Sequence, residues 1–202
     1  MITLCVTAIT FLGVVAVAVL MRIPAVVREA GAPPVAMSPA PARTPEPSAA
    51  MPPSRPVLLE IPRLRVRSKL VSFGRNPDGS PQVPAASQGR WAGWYRYGAA
   101  PGSAGPAIIA APAGAPGSPA AFHRLGELVP GDEVTVLRRD RKVAVFLIER
   151  VERVEGSRFP ARRVYGRVPY PELRLITWDG GLGAGGGQGR SVIAYGRLVR
   201  ST

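Results

Sequence analysis

The sequence predicts a mainly β domain over residues 57–202, built as a closed or nearly closed barrel of seven or eight strands. Three observations predict it. Short runs rich in β-branched and apolar residues recur between Val57 and Val199, each of strand length. Turn-forming clusters separate them: Asn76-Pro77-Asp78-Gly79, Pro101-Gly102, Pro130-Gly131-Asp132 and Gly180-Gly181. No long amphipathic helix interrupts the series, and the 23 prolines and 23 glycines of the 202-residue chain suit a turn-rich β fold.

In chain order, the first element precedes the domain. Residues 1–21, MITLCVTAITFLGVVAVAVLM, carry no charged side chain. As a helix rising 1.5 Å per residue they would span about 30 Å, the thickness of a bilayer core. They are expected to form a transmembrane anchor. A cleaved signal peptide is the competing reading, but a basic n-region and an A-x-A cleavage site are missing. Cys5 falls inside this segment as a small apolar residue. Arg22 and Arg28 follow the span, and by the positive-inside rule alone they would place the rest of the chain in the cytoplasm.

Residues 22–56 form the second element, a Pro/Ala-rich linker. Nine prolines between residues 31 and 56, with scarcely an aromatic or β-branched side chain, favour an extended, semi-rigid spacer that buries no core. A proline-rich ligand for another protein is the alternative.

The strand-like runs then follow: VLLEI (57–61), VRSKLV (66–71), PAIIAA (106–111), EVTVLR (133–138), KVAVFLIERVERV (142–154), ELRLITW (172–178) and SVIAYGRL (191–198). About 140 residues in seven or eight strands suffice for one barrel core. AAFHRLGEL (120–128) is expected to make one short helical turn with Phe122, Leu125 and Leu128 inward. The loop Gly181–Gly186 matches G-x-G-x-x-G, but a strand follows it where a dinucleotide fold needs a helix.

Charge and the rare residues narrow the chemistry. A net charge of +13, carried by 24 Arg and 2 Lys against 13 acidic residues, favours polyanions: lipid headgroups, wall polymers or nucleic acid. The single cysteine, Cys5, and single histidine, His123, exclude an intramolecular disulfide and a Cys/His zinc cluster. No cofactor or metal is expected.

Several segments, taken in order, resemble class F (or the similar class E) sortases of actinobacteria. They are LEIPRLRV (59–66), NPDGSPQVP (76–84), GRWAGWYRYGAAPGSAGPAIIA (89–110), AFHRLGELVPGDEVTV (121–136), Phe159-Pro160, PELRLIT (171–177) and SVIAYGRL (191–198). The resemblance implies an eight-stranded β-barrel, extracytoplasmic, tethered to the plasma membrane with its N-terminus inside. For an active member it implies a cysteine thiolate after L-I-T, a histidine closing an A-G-H loop, and an arginine on the last strand that steadies the oxyanion or the peptide.

Two of those three positions differ here. Ala110-Ala111-Pro112 stands for A-G-H, so Pro112 holds the histidine position; LITWDGG stands for L-I-T-C-G-G, so Trp178 holds the cysteine position. Neither proline nor indole can serve as nucleophile or base at neutral pH. Arg190, just before the last strand run, matches the family arginine if a one-residue gap follows it, and is otherwise a basic strand-edge residue. His123, Thr177, Ser191 and Asp179 are the remaining candidates for substitute chemistry. The sequence gives none of them a base and an orienting group together.

The resulting expectation is a membrane-anchored, extracytoplasmic sortase-like protein without transpeptidase activity. It would act at the cell surface as a binding or accessory module for a surface-protein peptide or an anionic wall polymer. The alternative is a transpeptidase using non-standard residues. Nucleic acid is not expected as a partner outside the cytoplasm.

Overall fold

The computed structural model describes residues 48–77, 82, 91–114, 120–155, 158–178 and 189–202. All of them belong to one compact unit, Arg43–Thr202. The expected anchor (1–21), Cys5, the linker up to residue 47, Asp78 and Gly79, Asp179 and the glycine-rich loop lie outside the described residues. Among the described residues no helix is long and apolar enough to cross a membrane.

Eight strands close into a barrel. They are β1 (Pro56–Ile61), β2 (Val66–Phe73), β3 (Ala92–Tyr95), β4 (Gly105–Ala110), β5 (Glu133–Arg138), β6 (Val143–Glu155), β7 (Pro171–Trp178) and β8 (Arg190–Ser201). The order around the barrel is β1-β2-β3-β4-β7-β8-β6-β5, and β1 pairs with β5 to close it. Two neighbours are parallel, β2 with β3 and β4 with β7; the other pairs run antiparallel. Closure leaves no unpaired strand edge.

Seven of the eight strands coincide with the runs expected from the sequence. The eighth, β3, is only AGWY; two of its four residues are Ala and Gly, which carry little strand signal of their own. Its place is set by partners on both sides, Leu70–Phe73 of β2 and Ile109–Ala110 of β4.

Strand alternation sorts the side chains onto two faces. Inside the barrel, Leu59, Ile109, Val134, Val136, Phe146 and Leu175 belong to one fully buried cluster. Phe122, Leu125 and Leu128 join it from the 3-10 turn at Leu125–Glu127, as the sequence pattern requires. A second cluster lies on the outer face of β3, β4, β7 and β8: Tyr95, Ile108, Ala110, Ile176, Trp178, Ile193 and Tyr195. Val164 covers it from α1 (Ala161–Tyr165), a single helical turn in the β6–β7 connection. Strand β7 is therefore buried on both faces along its whole length.

The barrel body starts earlier than the sequence suggests. Where a coreless spacer is expected up to residue 56, residues 48–55 lie on the barrel, and Met51 is buried in the interior cluster. Backbone bonds fix the segment, from Ser48 N to Leu198 O (3.1 Å) and from Met51 N to Gly102 O (2.7 Å). The buried Arg138 guanidinium donates to Pro52 O (2.5 Å), Pro101 O (3.0 Å) and Met51 Sδ (2.9 Å). Gly102 has φ 92°, and a Cβ there would lie 2.5 Å from Met51 Sδ, so only glycine lets the strap come this close. Proline-rich chain has little capacity to form a core of its own. One methionine and a few hydrogen bonds are enough to dock it on a core made by others.

Candidate functional site

The two positions that the sortase resemblance marks lie side by side. In the parallel β4–β7 pair Ala110 stands opposite Ile176, and Ala111 N–H and Ala113 N–H donate to Ile176 O (3.0 Å) and Trp178 O (3.1 Å). The same register carried two residues on puts Pro112 beside Trp178. Alternation gives Pro112 the outer face that Ile108 and Ala110 occupy, the face of Trp178. Proline fits here because the bonds to β7 come from residues 111 and 113, so the N–H it lacks is not one the pairing uses.

Trp178 is buried, at 5% exposure, within the outer-face cluster of Ala110, Ile176 and Ile193. Its indole packs within that cluster. Pro112 is half-buried. Together they present hydrocarbon and an aromatic ring, and nothing that titrates between pH 2 and 12.

Of the other candidates among the described residues, only Ser191 shares that face. Thr177 shares the parity of Leu173 and Leu175, so its side chain points into the barrel; its hydroxyl is buried with no hydrogen-bond partner among the described residues. Ser191 is the cross-strand partner of Trp178 and is buried. Arg190 pairs with Glu155 of β6, is exposed, and has the parity of Val192 and Ala194, the barrel side of β8. His123 is exposed in the turn before Leu125, with Nδ1 3.0 Å from Ala120 O. Asp179 lies outside the described residues.

Upstream along the same outer face the floor changes character. Tyr95 and Ile108 of the packed cluster, with Tyr165 against it, also line an open pocket of about 470 Å³, completed by Arg75, Tyr97, Arg167 and neighbouring residues. Ile108 is four residues before Pro112, about 13 Å along the strand. The rings support one another: Tyr95 meets Phe73 at 5.5 Å, Tyr97 at 5.7 Å and Tyr165 at 5.8 Å between centroids. Arg75 donates to Tyr95 Oη from Nε (3.2 Å) and Nη2 (2.7 Å). Burial, reinforced by the neighbouring Tyr95, pushes the Tyr165 phenol up to about 12 against the opposing pull of Arg75, so it stays protonated.

A buried ion pair holds the wall. Arg174, at 3% exposure, donates from Nε (3.1 Å) and Nη2 (2.5 Å) to Glu172 Oε2. Its Nη1 donates to the carbonyls of Arg163 (2.7 Å), Val164 (2.6 Å) and Gly166 (3.0 Å), the groups a helix leaves unsatisfied at its C-terminal end. Arg174 thus locks α1 and Tyr165 onto β7. Glu172 and Arg174 at i and i+2 share one face of a strand, which was the available sequence signal. Tyr95 and Tyr165 had no such signal, since β3 and α1 are both too short to show a period.

A closed eight-stranded barrel with the order β1-β2-β3-β4-β7-β8-β6-β5 and a parallel β4–β7 pair defines the class of fold. The sortase domain model matches residues 59–199, and the chain belongs to the sortase family. The chain is similar in structure to sortase C1 of GBS pilus island 1 (13% identity, TM-score 0.52, covering 71% of this chain and 63% of that one). It is likewise similar to sortase C of Streptococcus pneumoniae (16%, 0.53, 72% and 67%) and to sortase A of Listeria monocytogenes (13%, 0.52, 74% and 90%). The chain thus spans under two thirds of the GBS structure's length. No curated protein matches the chain in sequence.

Proposed function

We propose that this protein is a non-catalytic member of the sortase family, closest in its motifs to classes F and E, that acts at the cell surface as a binding or accessory module. The observation that carries the proposal is the register of Pro112 beside Trp178 on one outer face. The pair of positions is intact as geometry and empty as chemistry. Thioacyl transfer needs an ionisable thiol, and the neighbouring hydroxyls do not replace it: Thr177 points into the barrel and Ser191 is buried against β7. Residues 1–21 are proposed as the plasma-membrane anchor, with the barrel outside and the linker as spacer. Surface-protein peptides and anionic wall polymers are the proposed ligand classes.

The test is to incubate the full chain with sorting-signal peptides and an amine acceptor, and separately to measure peptide and polymer binding by titration. Binding without cleavage supports the proposal. Cleavage that survives thiol-blocking reagents would overturn it in favour of a transpeptidase with non-standard residues. A reporter fused after Thr202 and active only outside the membrane is the expected result for the topology.

A further inference from the structure

Among the described residues the carboxylates are spread over many arginines, and none lines the pocket. Nine ion pairs engage Glu60, Glu127, Asp132, Glu133, Asp140, Glu149, Glu152 and Glu172, eight of the nine carboxylates among the described residues. The ninth, Glu155, lies on β6 opposite Arg190. The pocket lining contains two arginines and no acidic residue. Among the described residues Arg75 has only the neutral Tyr95 phenol as partner, and Arg167 has none. Two cations facing one concavity without a counter-charge favour an anion there.

The rest of the lining says what carries the anion. Three of the protein's five tyrosines line the pocket, Tyr95, Tyr97 and Tyr165. Tyr97 is 64% exposed, an aromatic face held edge-on against Tyr95 with the Arg96 guanidinium 5.3 Å from its centroid. The phenol of Tyr95 accepts from Arg75, so its own proton is available; Tyr165 remains a protonated donor. Phenol hydroxyls around flat rings suit a ligand with several hydroxyls and an apolar C–H face. An extended peptide is the poorer fit, because three of the lining backbone donors are already used, Gly98 by Tyr95 O, Ala99 by Pro106 O and Gly105 by Tyr170 O.

We propose that this pocket is a binding site for an acidic saccharide, its anionic group held by Arg75 and Arg167 and a ring face packed on Tyr97. The inference deepens the binding-module reading and rests on it only in taking the ligand as held without being cleaved.

The experiment titrates the full chain calorimetrically with glucuronate and with glucose 1-phosphate, against neutral glucose, inorganic phosphate and an acidic peptide. Both acidic sugars are expected to bind at least about tenfold more tightly than any of the three controls. Arg167→Ala and Tyr97→Ala, both at exposed positions, should each weaken the acidic sugars about 5–10-fold with unchanged melting temperature. Arg200→Ala, which removes a positive charge outside the pocket, should leave them unchanged. Absence of acidic-sugar binding would overturn the proposal, as would phosphate or peptide binding as tightly, or an Arg200→Ala effect equal to that of Arg167→Ala. A chain that cleaved sorting peptides would sink the non-catalytic reading yet leave these titrations intact, so the two failures are distinguishable.

Discussion

Two stretches of one outer face, about 13 Å apart along β4, are built in opposite ways. At the strand ends, Pro112 and Trp178 present hydrocarbon and an aromatic ring, and neither side chain can move a proton. Upstream, Arg75, Tyr95, Tyr165 and Arg167 surround an open, cationic, hydroxyl-rich pocket. The fold is common to both, and the side chains decide which of them can react and which can bind. Family membership therefore describes the frame of this protein and says little by itself about its chemistry.

The sharpest way to break the contrast is to remove what supports both halves. Arg174→Ala leaves Glu172 buried without its partner and the α1 carbonyls unsatisfied, and is expected to cost about 3–5 kcal/mol in denaturant unfolding. Loss of the pocket should accompany it, because Tyr165 stands on that turn. Trp178→Ala tests the closed half alone. Truncating the buried indole should cost about 3 kcal/mol by the same measurement, while acidic-sugar affinity stays within about twofold because the pocket lies upstream.

A smaller effect comes from pH. An unfolded tyrosine ionises near 10, whereas Tyr165 in the fold holds its proton to about 12. Its contribution is fully present below pH 10 and is lost as pH rises through 12, since only the unfolded chain gains from early ionisation. Tyr165→Phe should abolish about 2 kcal/mol of that alkaline loss, read as a flatter dependence of unfolding midpoint on pH between 10 and 12. Smallest of all, Tyr97→Ala should change stability by less than about 0.5 kcal/mol, because the ring is largely exposed.

Much of the frame was legible from residues alone. β7 announced itself as ELRLITW, apolar and β-branched at strand length, and its end at a glycine-flanked turn marked Trp178 as a position of interest. The short helical turn was readable because Phe122, Leu125 and Leu128 repeat at three-residue spacing. Other parts depend on contacts distant in sequence. β3 is a strand only because β2 and β4 flank it, and Met51 is core only because Arg138, 87 residues later, draws the proline-rich strap onto the barrel. The pocket was invisible for the same reason. Arg75 follows β2, Tyr95 ends β3 and Tyr165 ends α1, and no local pattern joins them.

On the proposed reading the strand ends carry no transferase chemistry. Intact-mass measurement of the full chain after incubation with a sorting-signal peptide tests it most directly, with the double variant Trp178→Cys, Pro112→His run alongside. No acyl adduct and no released peptide fragment are expected from the natural sequence over hours. An acyl adduct on the natural chain, at Ser191, Thr177 or any other residue, would contradict it.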